Sequence, residues 1–113
     1  MAILARTEST LIVAASELSN ESGRRVVAVV ADTTDDGAVA RAVGEAVRQL
    51  GGGIDVLVNA AAEPAGYAAP PRLAEITGAF YHREMDIKVM GYLRCAREVA
   101  HTASNSARVA PSA

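Results

Sequence analysis

One stretch limits the possible folds more than any other: residues 25–59, RVVAVVADTTDDGAVARAVGEAVRQLGGGIDVLVN. Its two ends, residues 25–31 and 54–58, are short apolar runs rich in β-branched side chains, which suit strands covered on both faces. Between them Val39, Ala42, Val43, Ala46, Val47 and Leu50 recur at helical spacing along one face. The triple glycine at 51–53 ends that helix. Thr34 reads as its N-cap, with Asp35 and Asp36 in the first turn, where negative charge meets the positive end of the helix. Strand, helix and strand joined this closely make a parallel βαβ unit, and hence an open α/β sheet.

The same alternation begins earlier. Residues 2–5 (AILA) form a short apolar strand, and residues 7–22 read as a helix with Leu11, Ala14, Ala15 and Leu18 on one face. Gly23 is placed to end that helix in a left-handed turn. Residues 63–72 hold three of the four prolines and read as a loop. A long helix is expected from about 83 to 103, with Met85, Val89, Tyr92, Ala96, Val99 and Ala103 along one side. The expected organisation is one domain over 1–103 and a poorly ordered tail over 104–113, whose small polar residues show no period.

Composition narrows the function classes. The 113 residues carry a net charge of −2 and no cluster of Lys and Arg, which argues against a nucleic-acid partner. No apolar run approaches the ~20 residues that a bilayer span requires, so no membrane partner is expected. A single cysteine, Cys95, excludes a disulfide framework and points to a reducing, cytoplasmic address. His82 and His101 have no carboxylate or thiol set at ligand spacing, so no metal site is expected.

In parallel α/β sheets, ligands bind beyond the carboxyl ends of the strands. Arg6, Asp32 and Asn59 each follow one of the three expected strands, and together they describe one edge of a nucleotide site. Ala60 and Ala61 after Asn59 let main chain approach a flat group closely.

These segments, in this order, resemble the short-chain dehydrogenase/reductase family. Residues 23–64 are similar to that family's acidic turn, helix and G-x-[IL]-D-x-L-V-N-N-A-G run. DIKVMGYLRCARE resembles its fourth helix, D-V-N-x-x-G-x-x-x-x-x-[RQ]. The resemblance implies a partial Rossmann-like parallel sheet in βαβαβα order, with the family's first strand missing. It implies an NADP-dependent oxidoreductase transferring hydride between alcohol and carbonyl. Asp32 and Thr33 would lie at the adenine, and Asn59, Ala60 and Ala61 would line the adenosine site. Arg6 would meet the 2′-phosphate of NADP, since a planar fork of donors matches phosphate well; NAD remains the alternative.

The departures from the family are as informative. N-N-A-G is NAAA here, and Lys88 stands at the position of the fourth-helix Asn, the one candidate for a catalytic role. There is no T-G-x-x-x-G-x-G turn for the pyrophosphate. The family's catalytic serine is lacking, and none of Tyr67, Tyr81 and Tyr92 has a lysine four places on. Acid–base help for hydride transfer needs that pair, so the chain is expected to be inactive as a truncated piece. The missing strand is central, which would leave residues 54–58 without a neighbour, at ~1–3 kcal/mol per unpaired buried group. Two alternatives stay open: a non-catalytic module that associates with itself or with a relative through helix 83–103, or a degenerate remnant without activity.

Overall fold

The computed structural model describes residues 1–61 and 72–105. Strand β1 (Ala2–Ala5) leads into helix α1 (Glu8–Ser22), strand β2 (Val27–Val30) and helix α2 (Asp36–Leu50). A short 3-10 turn (Leu73–Glu75) precedes helix α3 (Gly78–Met85), a π-helical stretch (Asp86–Met90) and helix α4 (Gly91–Asn105). The expected loop at 63–72 lies outside the described residues except for Arg72. At the other end, α4 runs through Asn105, two residues past the expected helix end at 103, and the rest of the tail lies outside the described residues.

β1 and β2 pair in parallel, Ala2 opposite Val27 and Ala5 opposite Val30. The ladder extends one residue at each end, through Val27 N–H to the Met1 carbonyl (2.9 Å) and Ala31 N–H to the Ala5 carbonyl (3.0 Å). The second strand is thus shorter than its apolar run. Val27, Val29 and Ala31 meet Ala42 and Ala46 of α2 in one buried cluster, with Ala2 and Leu4 packed on it. Helix α1 packs on both strands and buries Leu11 and Ala15, while Leu18 stays exposed. Gly23 (φ 66°) and Gly51 (φ 74°) end α1 and α2 as left-handed caps, which glycine adopts without a Cβ clash.

Three expectations require correction. The N-cap of α2 is Asp35, whose carboxylate accepts from Ala38 N–H at 2.9 Å. Thr34 instead bonds back to Asp32, an alternative that short polar side chains offer before a helix. Residues 54–58 form no strand among the described residues. Only Ile54 packs into the core, touching both buried clusters, while Val56 and Val58 are 78% and 80% exposed. A β-prone run without a neighbouring strand has nowhere to send its backbone hydrogen bonds except to water.

The third correction concerns the long helix, which starts at Gly78 on a Thr77 cap rather than near 83. Its buried line is Ile87, Gly91 and Cys95, with Val99 half-buried, and Cys95 joins Val39 and Val43 of α2 in the second cluster. Val89 and Ala96, expected on the packed side, are exposed. The π stretch adds a residue to the local turn and rotates everything before Gly91 relative to everything after it.

Gly91 is buried, and a Cβ there would lie 3.0 Å from Thr33 Oγ1 and 3.2 Å from Thr33 Cβ. Gly91→Ala gains about 1 kcal/mol of helix propensity but loses about 1–3 kcal/mol to overpacking. A net loss of about 1 kcal/mol is expected, read in a thermal melt as a Tm lower by about 4–8 °C.

Candidate functional site

The ladder that ends at Ala5 and Ala31 makes Arg6 and Asp32 the next residues on two adjacent strands, at their carboxyl ends. Asp32 is held in a tight local turn. Its Oδ1 accepts from Thr34 N–H at 2.9 Å and from Thr34 Oγ1–H at 2.8 Å. The Thr34 amide, then the Thr34 hydroxyl, and then the nearby charges of Arg6 and Arg83 hold the Asp32 carboxyl below its usual pKa. It is therefore an anion throughout the neutral range.

Asn59, Ala61 and their neighbours make a second group, seated on the long helix. Asn59, half-buried, directs Nδ2 toward the Tyr92 carbonyl at 3.5 Å, a long contact. The Tyr92 hydroxyl donates to the Ala61 carbonyl at 3.0 Å. Ala60 and Ala61 are exposed. Asn59 also lines a shallow, mostly apolar depression with Lys88, Val89, Tyr92, Leu93 and Ala96. Lys88 is half-exposed there and pairs with Glu84 one turn back at 3.4 Å.

Helix α4 joins the two groups. While Tyr92 reaches Ala61, Arg94 reaches the Thr33 carbonyl at 3.0 Å. Arg94 also meets Asp36 Oδ1 at 2.6 Å and Asp86 Oδ1 at 2.8 Å. The Arg94 hydrogen bond holds the Asp36 carboxyl below its usual pKa, with help from the charges of Arg94 and Arg97. Neither Tyr92 nor Arg94 was marked as a site residue by the sequence. Their partners lie 31 and 61 residues away in the chain, a separation at which no local spacing carries a signal.

Cys95 is buried, and that burial raises its thiol pKa, which leaves it a packing residue rather than a nucleophile. Among the described residues no group of three or more His, Cys, Asp or Glu could hold a metal ion. No helix among them is long and apolar enough to cross a membrane.

The profile of the short chain dehydrogenase family matches residues 1–109. The chain belongs to that family. As a short-chain dehydrogenase it superimposes on a substituted actinorhodin polyketide ketoreductase with NADPH at a TM-score of 0.78 and 23% identity, covering 91% of this chain and 37% of that one. It is similar to a short chain dehydrogenase from Mycobacterium smegmatis at 0.78 and 25%, covering 89% and 40%. A gluconate 5-dehydrogenase from Burkholderia cenocepacia in complex with NADP and tartrate matches at 0.71 and 24%, covering 88% and 37%. The first and third likenesses show the shared Rossmann-like α/β fold. The chain spans about two fifths of the length of these short-chain dehydrogenases. No curated protein matches it.

Proposed function

We propose that this chain forms the adenosine-binding part of an NADP-dependent oxidoreductase that moves hydride between an alcohol and a carbonyl. The observation that carries this reading is the strand register, which sets Arg6 and Asp32 side by side at the carboxyl ends of two parallel strands. The donor set suits that end of a dinucleotide. A guanidinium matches a 2′-phosphate, a carboxylate held ionised can accept from the adenine amino group, and the exposed main chain of Ala60 and Ala61 leaves room for a flat ring. Arg6, Asp32, Thr33, Asn59, Ala60 and Ala61 are the residues assigned to it.

The pyrophosphate end is not fitted by the described residues. The glycines at 51–53 follow the C-terminus of α2, where carbonyls and the negative helix pole point outward, the wrong end for an anion. When bound, the nicotinamide ring supplies the hydride. The 113 residues hold no Tyr-x-x-x-Lys pair to move the accompanying proton. The chain is accordingly read as a binding segment without catalysis of its own.

Calorimetry with two probes tests this reading. Adenosine 2′,5′-bisphosphate is expected to bind at least about tenfold tighter than 5′-AMP, a difference of about 1.4 kcal/mol. Equal affinities, or no binding of either, would reject it. A second reading, a self-associating module, is favoured by the exposed Val89, Met90 and Leu93 (43%, 43% and 55%) on the long helix. Light scattering is expected to give at least a dimer on that reading; a compact monomer contradicts it.

A further inference from the structure

Arg94 has no part in the cofactor contacts assigned above, yet it ties the turn after Asp32 to the helix on which Tyr92 holds Ala61. Its side chain is only 12% exposed. Burial disfavours its charge, and hydrogen bonds to Asp86 and Asp36 outweigh that effect, leaving its pKa above the usual arginine value. A guanidinium buried and paired in this way is fixed in direction, because its planar fork leaves no freedom once two carboxylates are engaged. Nη1, which meets the Asp86 carboxylate, is also directed at two main-chain oxygens, Thr33 at 3.0 Å and Asp86 at 3.3 Å.

The Thr33 carbonyl is the telling target. Thr33 directly follows Asp32, and its side chain lies against Gly91, where even a methyl group would crowd it. The turn is therefore gripped twice from α4, by close packing on the side chain and by a charged donor on the main chain. The start of α2 is tied to the same helix, since Asp36 also meets Arg97 at 3.4 Å. Two residues before Arg94, Tyr92 ties the Ala61 carbonyl.

We propose that Arg94 is a positioning residue: by holding the Thr33 carbonyl it sets the direction of Asp32 relative to the Asn59–Ala61 segment that Tyr92 holds on the same helix. The identity of the ligand rests on the nucleotide reading above; the grip on the turn does not.

The test separates the two. Amide hydrogen exchange is measured by NMR on the full chain without ligand, and then the affinity for adenosine 2′,5′-bisphosphate is measured. Arg94→Met is expected to speed exchange at Thr34, whose N–H donates to Asp32, by at least about tenfold, equivalent to about 1.4 kcal/mol. The ladder amides of Val27 and Ala31 should not change, and affinity for the bisphosphate should fall about fivefold or more. Arg94→Lys, which keeps the charge without the planar fork, should recover part of both effects.

Unchanged exchange at Thr34, or an equal rise at Thr34, Val27 and Ala31, would overturn the proposal. If Arg94→Met fails to fold, Asp36→Asn carries the test, because it weakens the 2.6 Å pair and leaves the Asp86 pair in place. A rise of about threefold at Thr34 is then expected, and none would overturn the proposal. Failure of the unsubstituted chain to bind the bisphosphate, with Thr34 responding as expected, rejects the nucleotide reading and leaves the grip standing.

Discussion

Val39→Ala is expected to lower the unfolding free energy by about 2 kcal/mol. Val39 is the one side chain with no solvent exposure among the described residues, lying where α2 meets Cys95 of α4. Removing two methyl groups there forfeits their burial and leaves a cavity that two helices already in contact cannot close. The effect is large in proportion because the core is thin. Its buried members are mostly alanine and valine, and small side chains bury little area apiece. A small domain has about 5 kcal/mol or little more to lose. In urea, with a slope of about 1–1.5 kcal/mol/M, the midpoint should fall by about 1–2 M. Val56→Ala is the contrast, since Val56 is 78% exposed, and it should stay within about 0.5 kcal/mol of the parent. Equal losses at the two positions would mean that the 54–58 segment is buried in solution, and the description of the core would be wrong.

Arg6→Ala is expected to weaken binding of adenosine 2′,5′-bisphosphate by about 10–100-fold, the equivalent of a lost charge-assisted hydrogen bond of about 1.5–3 kcal/mol. Binding of 5′-AMP, which lacks the 2′-phosphate, should change by less than about threefold. Arg6→Lys should fall between, because an ammonium keeps the charge and loses the two-pronged geometry. Calorimetry at one fixed ionic strength is needed, since salt screens an exposed ion pair of this kind. A parallel loss for both ligands would contradict the assignment of Arg6 to the 2′-phosphate.

Features governed by a few neighbouring residues were legible in the sequence. The stripe from Val39 to Leu50 buries as its spacing indicates through Ala46, with Val47 half-buried and Leu50 exposed at its end, and Gly23 and Gly51 end their helices at the expected positions. The β1–β2 pairing followed from two short apolar runs around a helix. Features governed by distant partners were not legible. Residues 54–58 have strand composition, but a strand exists only beside another strand, and among the described residues none accompanies them. The π stretch at Asp86–Met90 turned the face read as packed partly toward solvent, a rotation that a fixed 3.6-residue period cannot anticipate.

The candidate site divides in the same way. Arg6, Asp32 and Asn59 were readable as residues that follow strand-like runs. The helix that organises them was not, because the contacts of Arg94 with Thr33 and of Tyr92 with Ala61 each close a long loop of chain. The choice between Thr34 and Asp35 as cap turned on a single hydrogen bond. Thr34 had a carboxylate two residues back to bond, which left the helix end to Asp35.

On the nucleotide reading, one ligand touches both groups of residues at once. The direct measurement is a 15N–1H NMR titration of the chain with adenosine 2′,5′-bisphosphate. The predicted result is saturable shifts that are largest at residues 5–7, 32–34 and 59–61, with smaller movements at Tyr92 and Arg94. Shifts centred instead on Lys88, Val89 and Leu93, or no shifts at all, would contradict it.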